Sequence, residues 1–284
     1  MRITAAIAAL LLLFAIAAGH ASASPKVAVI VLENHEFDDV IGNDDVPYLN
    51  ALARRNVLAT RYYGVAHPSL PNYIALLGGS TLGIDENCTS CARRGDNLAA
   101  QLSRAGIGWR AYFEQMPKAC FAGDEDGEYV KRHNPFMYFR SVFEVFRQCH
   151  HVVPLARLHA DLRKGSLPAF SWIGPGLCSG GHDCGLDTVD RWLERLVPRI
   201  VRGLGRRGIV VITFDEGTSD RGCCGRPGGG RVATIVAGPA ARRGVRLRRP
   251  LDHYSLLATI ETVFGLTRLR HARGAPTLLP ALAR

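Results

Sequence analysis

Residues 208–217 read GIVVITFDEG. From Ile209 to Phe214 the run is apolar apart from Thr213, and most of it is β-branched. A strand apolar on both faces belongs in the middle of a parallel sheet covered by helices on each side. The run stops at two adjacent carboxylates, Asp215 and Glu216, followed by Gly217. In open α/β sheets, ligands bind beyond the carboxyl ends of the central strands. Like charges placed side by side there repel unless a cation or a shared proton compensates. Residues 27–32 (VAVIVL) repeat the design and run into Glu33, Asn34 and His35. Two buried strands therefore deliver Glu33, Asn34, Asp215 and Glu216 to one sheet edge, and an oxygen-rich cluster of this kind suggests a metal site.

Working outward, residues 1–23 have the form of a signal peptide: Arg2, an apolar stretch over 5–18, and the cleavage pattern Ala21-Ser22-Ala23. No later stretch approaches the ~20 apolar residues of a membrane span. The expectation is a secreted or periplasmic protein without stable membrane insertion, cleaved near Ala23. Residues 24–284 suffice for one α/β domain with a large core. Eight cysteines fit an oxidising compartment. Local closure pairs Cys88 with Cys91, Cys178 with Cys184, and Cys120 with Cys149 across a longer loop. A bond between the adjacent Cys223 and Cys224 would be strained, so these two are expected to pair elsewhere. The net charge of +10 is carried by arginine, with lysine only at positions 26, 118, 131 and 164. Such a surface suits anionic substrates or is simply solvated. No nucleic-acid-binding signature accompanies it, and oligomeric state leaves no trace in the sequence.

Residues 57–65 read as a strand ending in HPSLPN (67–72), with a helix over 73–77 closed by Gly78-Gly79. A polar residue between a strand end and a helix start sits where the helix N-terminus favours an anion. Ser69 thus occupies a nucleophile's position, and Asn72 can donate to a phosphate oxygen; the simpler alternative makes Ser69 a helix N-cap. Further on come a helix at 97–106, a strand at 109–114, a helix at 154–163, a strand at 169–173 leading to a polar loop with Ser179, His182 and Asp183, an amphipathic helix at 188–204, a buried strand at 231–237 and a helix at 253–264. The alternation predicts a three-layer α/β/α fold with a mostly parallel, doubly wound sheet and one active edge. Dinucleotide-binding, P-loop and nucleophile-elbow glycine patterns are absent from the sequence.

ENHEFDDVIG (33–42), HPSLPNYIALLGG (67–79), KRHNPFMYF (131–139), TFDEG (213–217) and HYSLLATIE (253–261) together resemble the bacterial phosphoesterase family that includes acid phosphatases and phospholipases C. The resemblance covers residues 26–268 and implies an alkaline-phosphatase-like fold and metal-assisted hydrolysis of phosphate esters. It implies metal ligation by Glu33, Asn34, Asp215 and Glu216, with Ser69 as nucleophile. His133, His182 and His253 then hold phosphate or protonate the leaving group, and His67 and Asn72 serve substrate binding. Gly180-Gly181-His182 replaces the family's usual Asn-Asp-Met-His, which removes a carboxylate; one divalent ion is expected rather than two. Oxygen ligands suit Mg²⁺, Ca²⁺ or Mn²⁺ as well as Zn²⁺. The function expected is a serine-dependent phosphomonoesterase acting on small phosphate esters. The alternatives are a phospholipase C-type phosphodiesterase and a non-catalytic exported binding protein that kept the fold.

Overall fold

The structure, a computed structural model, describes residues 24–223 and 227–283; the expected signal peptide and Cys224 lie outside them. Eight strands form the central sheet: β1 (Lys26–Leu32), β2 (Val57–Ala59), β3 (Trp109–Phe113), β4 (Val152–Pro154), β5 (Phe170–Gly174), β6 (Gly208–Phe214), β7 (Thr234–Ala237) and β8 (Arg246–Leu247). Across the sheet they lie in the order β8-β2-β7-β6-β1-β5-β3-β4. The β-branched runs β1 and β6 lie side by side at its centre, and every residue of β6 is buried. Parallel pairing sets Leu32 opposite Phe214. That register fixes the site, because Glu33 and Asp215 then leave the sheet at the same level.

Helices flank the sheet. α1 (Leu186–Leu204) buries Val189, Leu193, Leu196, Val197, Ile200 and Leu204 along one stripe, as its amphipathic pattern requires. Its buried Asp190 accepts from the backbone N–H groups of Tyr48 and Leu49 at 2.9 and 2.8 Å. This satisfies free donors at the start of the helix Pro47–Arg55 and anchors one helix to the other. The helix Ser69–Gly78 is buried along all ten residues.

Local corrections follow from chain geometry. The expected strand over 57–65 divides into β2 and a short strand Tyr62–Tyr63, which pairs with Leu251–Asp252 in a separate sheet. β7 runs antiparallel to both its neighbours, β2 and β6. Between β6 and β7 no crossover helix occurs among the described residues, and the Gly64 N–H binds the Gly230 carbonyl just before β7, so the next strand runs back. Pro154 ends the edge strand β4, where its missing N–H costs nothing, and the helix expected from it begins at Ala156. The disulfides Cys88–Cys91, Cys120–Cys149 and Cys178–Cys184 are present. Cys223 is disulfide-bonded as well.

Candidate active site

Ser69 is the first residue of its helix; the N-cap position expected of it in the simpler reading is held by Pro68. Its Oγ lies 3.1 Å from Glu216 Oε1 and 3.4 Å from both Glu33 Oε2 and Asn34 Oδ1. A hydroxyl carries one proton and can donate to one of these acceptors only. The other contacts set oxygen lone pairs against one another, an arrangement that calls for positive charge. Ser69 and the strand-end residues thus share one site.

The carboxylates are buried: Glu33 is 1%, Asp215 0% and Glu216 6% exposed. Burial, then the Glu216 charge, pushes the Asp215 carboxyl up to about 7. Burial and Asp215 raise Glu33 well above the usual carboxylate range, and burial raises Glu216. Asp215 Oδ1 accepts the Asn34 N–H at 3.1 Å, while Oδ2 is buried without a partner. Asn34 reaches it from the left-handed region, at φ 54°, a conformation asparagine tolerates better than most residues. Glu33 Oε1 accepts from the Tyr73 hydroxyl and lies 3.3 Å from His133 Nδ1.

The donors are oxygens, negatively charged and under-satisfied, which fits a hard divalent cation. Spacing is the weaker match: among the described residues no group of three or more His, Cys, Asp and Glu side chains is arranged to hold a metal. The oxygens gathered around Ser69 include the Asn34 amide, a ligand type outside that set.

The histidines divide into two groups. His67 Nδ1 meets Glu216 Oε2 at 2.6 Å and Nε2 lies 3.1 Å from the Ser219 carbonyl. Its burial lowers the pKa, but the Ser219 carbonyl and Glu216 outweigh that, and the net shift is upward. His133 stacks on Tyr73, and its buried Nε2 has no partner. Burial holds it neutral, well below the ordinary histidine value. His182 is exposed, hydrogen-bonded through Nδ1 to Asp183 Oδ1 at 2.6 Å, with its ring 5.8 Å from that of His133. His253 stands apart. It is 0% exposed, its Nε2 donates to the Asp215 carbonyl, and its Nδ1 accepts from Tyr62. Burial lowers its pKa to about 4.

Asn72, expected at the substrate, faces its own loop instead. Its Oδ1 accepts from the Val65 and Ala66 N–H groups, and its Nδ2 donates to the Ala66 and Pro68 carbonyls. All its polar atoms are spent shaping the approach to Ser69. Sequence reasoning missed Tyr73, although its i+4 spacing from Ser69 places both on one helix face. It also missed Glu36, which grips the loop after Glu216.

Among solved structures the fold is similar to the lipoteichoic acid synthase LtaP from Listeria monocytogenes, with a TM-score of 0.62, 8% identity, and coverage of 91% of this chain and 76% of that one. It is similar also to an alkaline phosphatase superfamily protein from Vibrio parahaemolyticus, with a TM-score of 0.58, 12% identity and coverage of 88% and 70%. The fold is therefore alkaline-phosphatase-like. The sequence pattern of the Phosphoesterase family matches residues 42–267, and the chain belongs to that family. Glu33 and Asn34 precede the matched stretch and join the site through the β1–β6 register. Relatives include a phosphatidylinositol-3-phosphatase of Mycobacterium tuberculosis, 28% identical over 265 residues, 91% of this chain and 84% of the relative. A phosphate-repressible acid phosphatase of Penicillium chrysogenum is 28% identical over 251 residues, 84% of this chain but only 59% of the fungal protein. These relatives, with the family, place the chain among hydrolases acting on phosphoric ester bonds.

Proposed function

We propose that this chain is an exported, cation-dependent phosphomonoesterase that attacks its substrate through Ser69. The observation that carries the reading is the Ser69 hydroxyl, held at a helix N-terminus within 3.1–3.4 Å of three oxygens from two strand ends. A phosphate monoester bound there lies on the positive end of the helix dipole. Ser69 passes its proton to Glu216 Oε1, 3.1 Å away, as Oγ bonds to phosphorus in line with the departing oxygen; the ester P–O bond breaks, and the leaving oxygen takes a proton from His182, oriented by Asp183. Water then cleaves the phosphoserine and releases phosphate. Glu33, Asn34, Asp215 and Glu216 would hold a divalent cation, Mg²⁺, Ca²⁺, Mn²⁺ or Zn²⁺. When bound, the cation lowers the serine pKa and neutralises phosphoryl charge. His133, with Nε2 unengaged, is assigned to the phosphate; His67 orients Glu216, and His253 positions the Asp215 backbone. Export is supported by the disulfides and the leader-like residues 1–23.

The test pairs two variants. Ser69→Ala removes turnover of p-nitrophenyl phosphate by about 10³-fold or more and keeps the metal. Asp215→Asn loses both. Full metal content in purified Asp215→Asn, or an active Ser69→Ala, contradicts the assignment.

A lipid-borne substrate is the second reading, favoured by the mycobacterial relative named as a phosphatidylinositol-3-phosphatase. A panel of p-nitrophenyl phosphate, its bis ester, phosphatidylinositol 3-phosphate and phosphatidylcholine separates the possibilities. A phosphomonoesterase cleaves the first and third. Preference for the bis ester or phosphatidylcholine marks a phospholipase C-type enzyme.

A further inference from the structure

The loop after Glu216 is held by a carboxylate with no role in the chemistry proposed above. Glu36 Oε1 accepts from the Ser219 hydroxyl at 2.5 Å and the Arg231 N–H at 3.3 Å, and Oε2 accepts from the Thr218 N–H at 3.3 Å. One side chain thus joins both feet of the excursion between β6 and β7. The fit is tight because two residues there lack side chains. A Cβ on Gly217 would stand 1.8 Å from Glu36 Oε2, and one on Gly230 would stand 2.6 Å from it. Glu36 itself is fixed through its N–H to Asp39 Oδ2 at 3.1 Å. The neighbouring Phe37 N–H binds the Arg231 carbonyl at 2.6 Å.

The gripped residues lead straight to the site. Ser219 gives its hydroxyl to Glu36 and its carbonyl to His67 Nε2, and His67 Nδ1 meets Glu216. Gly217, pressed against Glu36, is the next residue after Glu216, whose Oε1 faces Ser69. Displacement of this loop therefore disturbs Glu216 by two routes, along the backbone and through His67.

We propose that Glu36 is a positioning residue for this reaction: seated in the notch left by Gly217 and Gly230, its carboxylate clamps Thr218, Ser219 and Arg231 and so sets Glu216 and His67 against Ser69. The inference rests on the reading of Ser69 as the nucleophile. A misplacement near 1 Å in such a site costs on the order of 100-fold in rate.

Glu36→Ala is expected to lower kcat for p-nitrophenyl phosphate by about 10–100-fold while KM stays within a few-fold. Glu36→Gln keeps one acceptor for Ser219 and Arg231 but turns a donor toward the Thr218 N–H, and recovers part of the loss. Gly217→Ala, whose methyl group takes the carboxylate's place, loses kcat to a similar degree. In the Glu36→Ala background the same methyl group loses its clash with the carboxylate and keeps only a 3.3 Å contact with the Gly230 Cα. The double variant therefore loses about as much as either single one, not the product of the two. Circular dichroism and melting curves confirm that each variant is folded, and Glu36→Gln carries the test if Glu36→Ala is not. Losses that multiply, or folded Glu36 variants with native kcat, overturn the proposal when Ser69→Ala is inactive. An active Ser69→Ala overturns the reading beneath it.

Discussion

Asp161 and Asp215 are both almost wholly buried, 1% and 0% exposed, yet the chain surrounds them in opposite ways. Asp161 receives the Arg110 guanidinium at 2.5 Å, the Tyr112 hydroxyl at 2.9 Å and the Arg157 Nε at 2.9 Å. Burial alone would raise its pKa, but these donors outweigh burial and hold it below the usual value. Asp215 receives one backbone N–H and faces Glu216, and its pKa climbs to about 7. A carboxylate that serves the fold brings its counter-charge from its own chain. Around Ser69 only Glu216 has such a partner, in His67 at 2.6 Å; Asp215 takes the Asn34 N–H and Glu33 the Tyr73 hydroxyl, with His133 beside it held neutral, a deficit that the proposed cation would fill.

The comparison breaks first under chelation. Removing divalent ions should lower turnover about 100-fold or more, with recovery on adding back one of the candidate metals. Unchanged turnover in a metal-free preparation would mean that the Asp215 cluster is compensated by protons alone. Asp161→Ala should act on the other side of the comparison, costing about 1–3 kcal/mol in unfolding free energy by leaving the buried Tyr112 hydroxyl and the half-buried Arg110 without their acceptor, with kcat per folded molecule unchanged. Denaturant melts and active-site-normalised kinetics decide that case.

Glu261 sharpens the contrast because it is buried and under-satisfied far from Ser69 in sequence. Its Oε1 accepts the Leu269 N–H at 2.8 Å and Oε2 has no partner. Burial is the largest influence; the Leu269 N–H and Arg268 oppose it, Asp96 adds to it, and the pKa rises to about 7. The folded protein therefore resists ionising a group that ionises readily in the unfolded chain. Near pH 4 both states are protonated and there is no penalty; as pH rises through about 7 stability is lost. Glu261→Gln should raise stability at pH 8 by ~1–3 kcal/mol and change little at pH 4. Equal effects at both pH values would refute the shift. The smallest effect belongs to the exposed Arg140–Glu144 pair, where Arg140→Ala should cost less than ~0.5 kcal/mol in the same melts.

Much of this was legible because apolar, β-branched runs announce buried strands and their last residues announce the active edge. The same logic brings Glu33, Asn34, Asp215, Glu216 and Ser69 to one sheet edge, where the structure also gathers them. It could not give strand direction, so β7 was not foreseen as the reversed strand: periodicity is the same read either way. Nor could residue type reveal which way a buried polar side chain turns. Asn72 and His253 stand near Ser69 and Asp215, but their polar atoms are used on backbone and on Tyr62. Glu36 escaped notice for the converse reason. Its importance is written in the hydrogens of Gly217 and Gly230, and a missing side chain is a faint signal in a glycine-rich stretch.

The burial of all ten residues from Ser69 to Gly78 has a consequence for motion. Arg270 reaches across to the Gly78 carbonyl and closes the far end of that helix. With no solvent-facing side and both ends tied, its interior amides should exchange with deuterium only when the whole molecule opens. On this expectation Ser69 is mounted on a slowly exchanging, well-buried support.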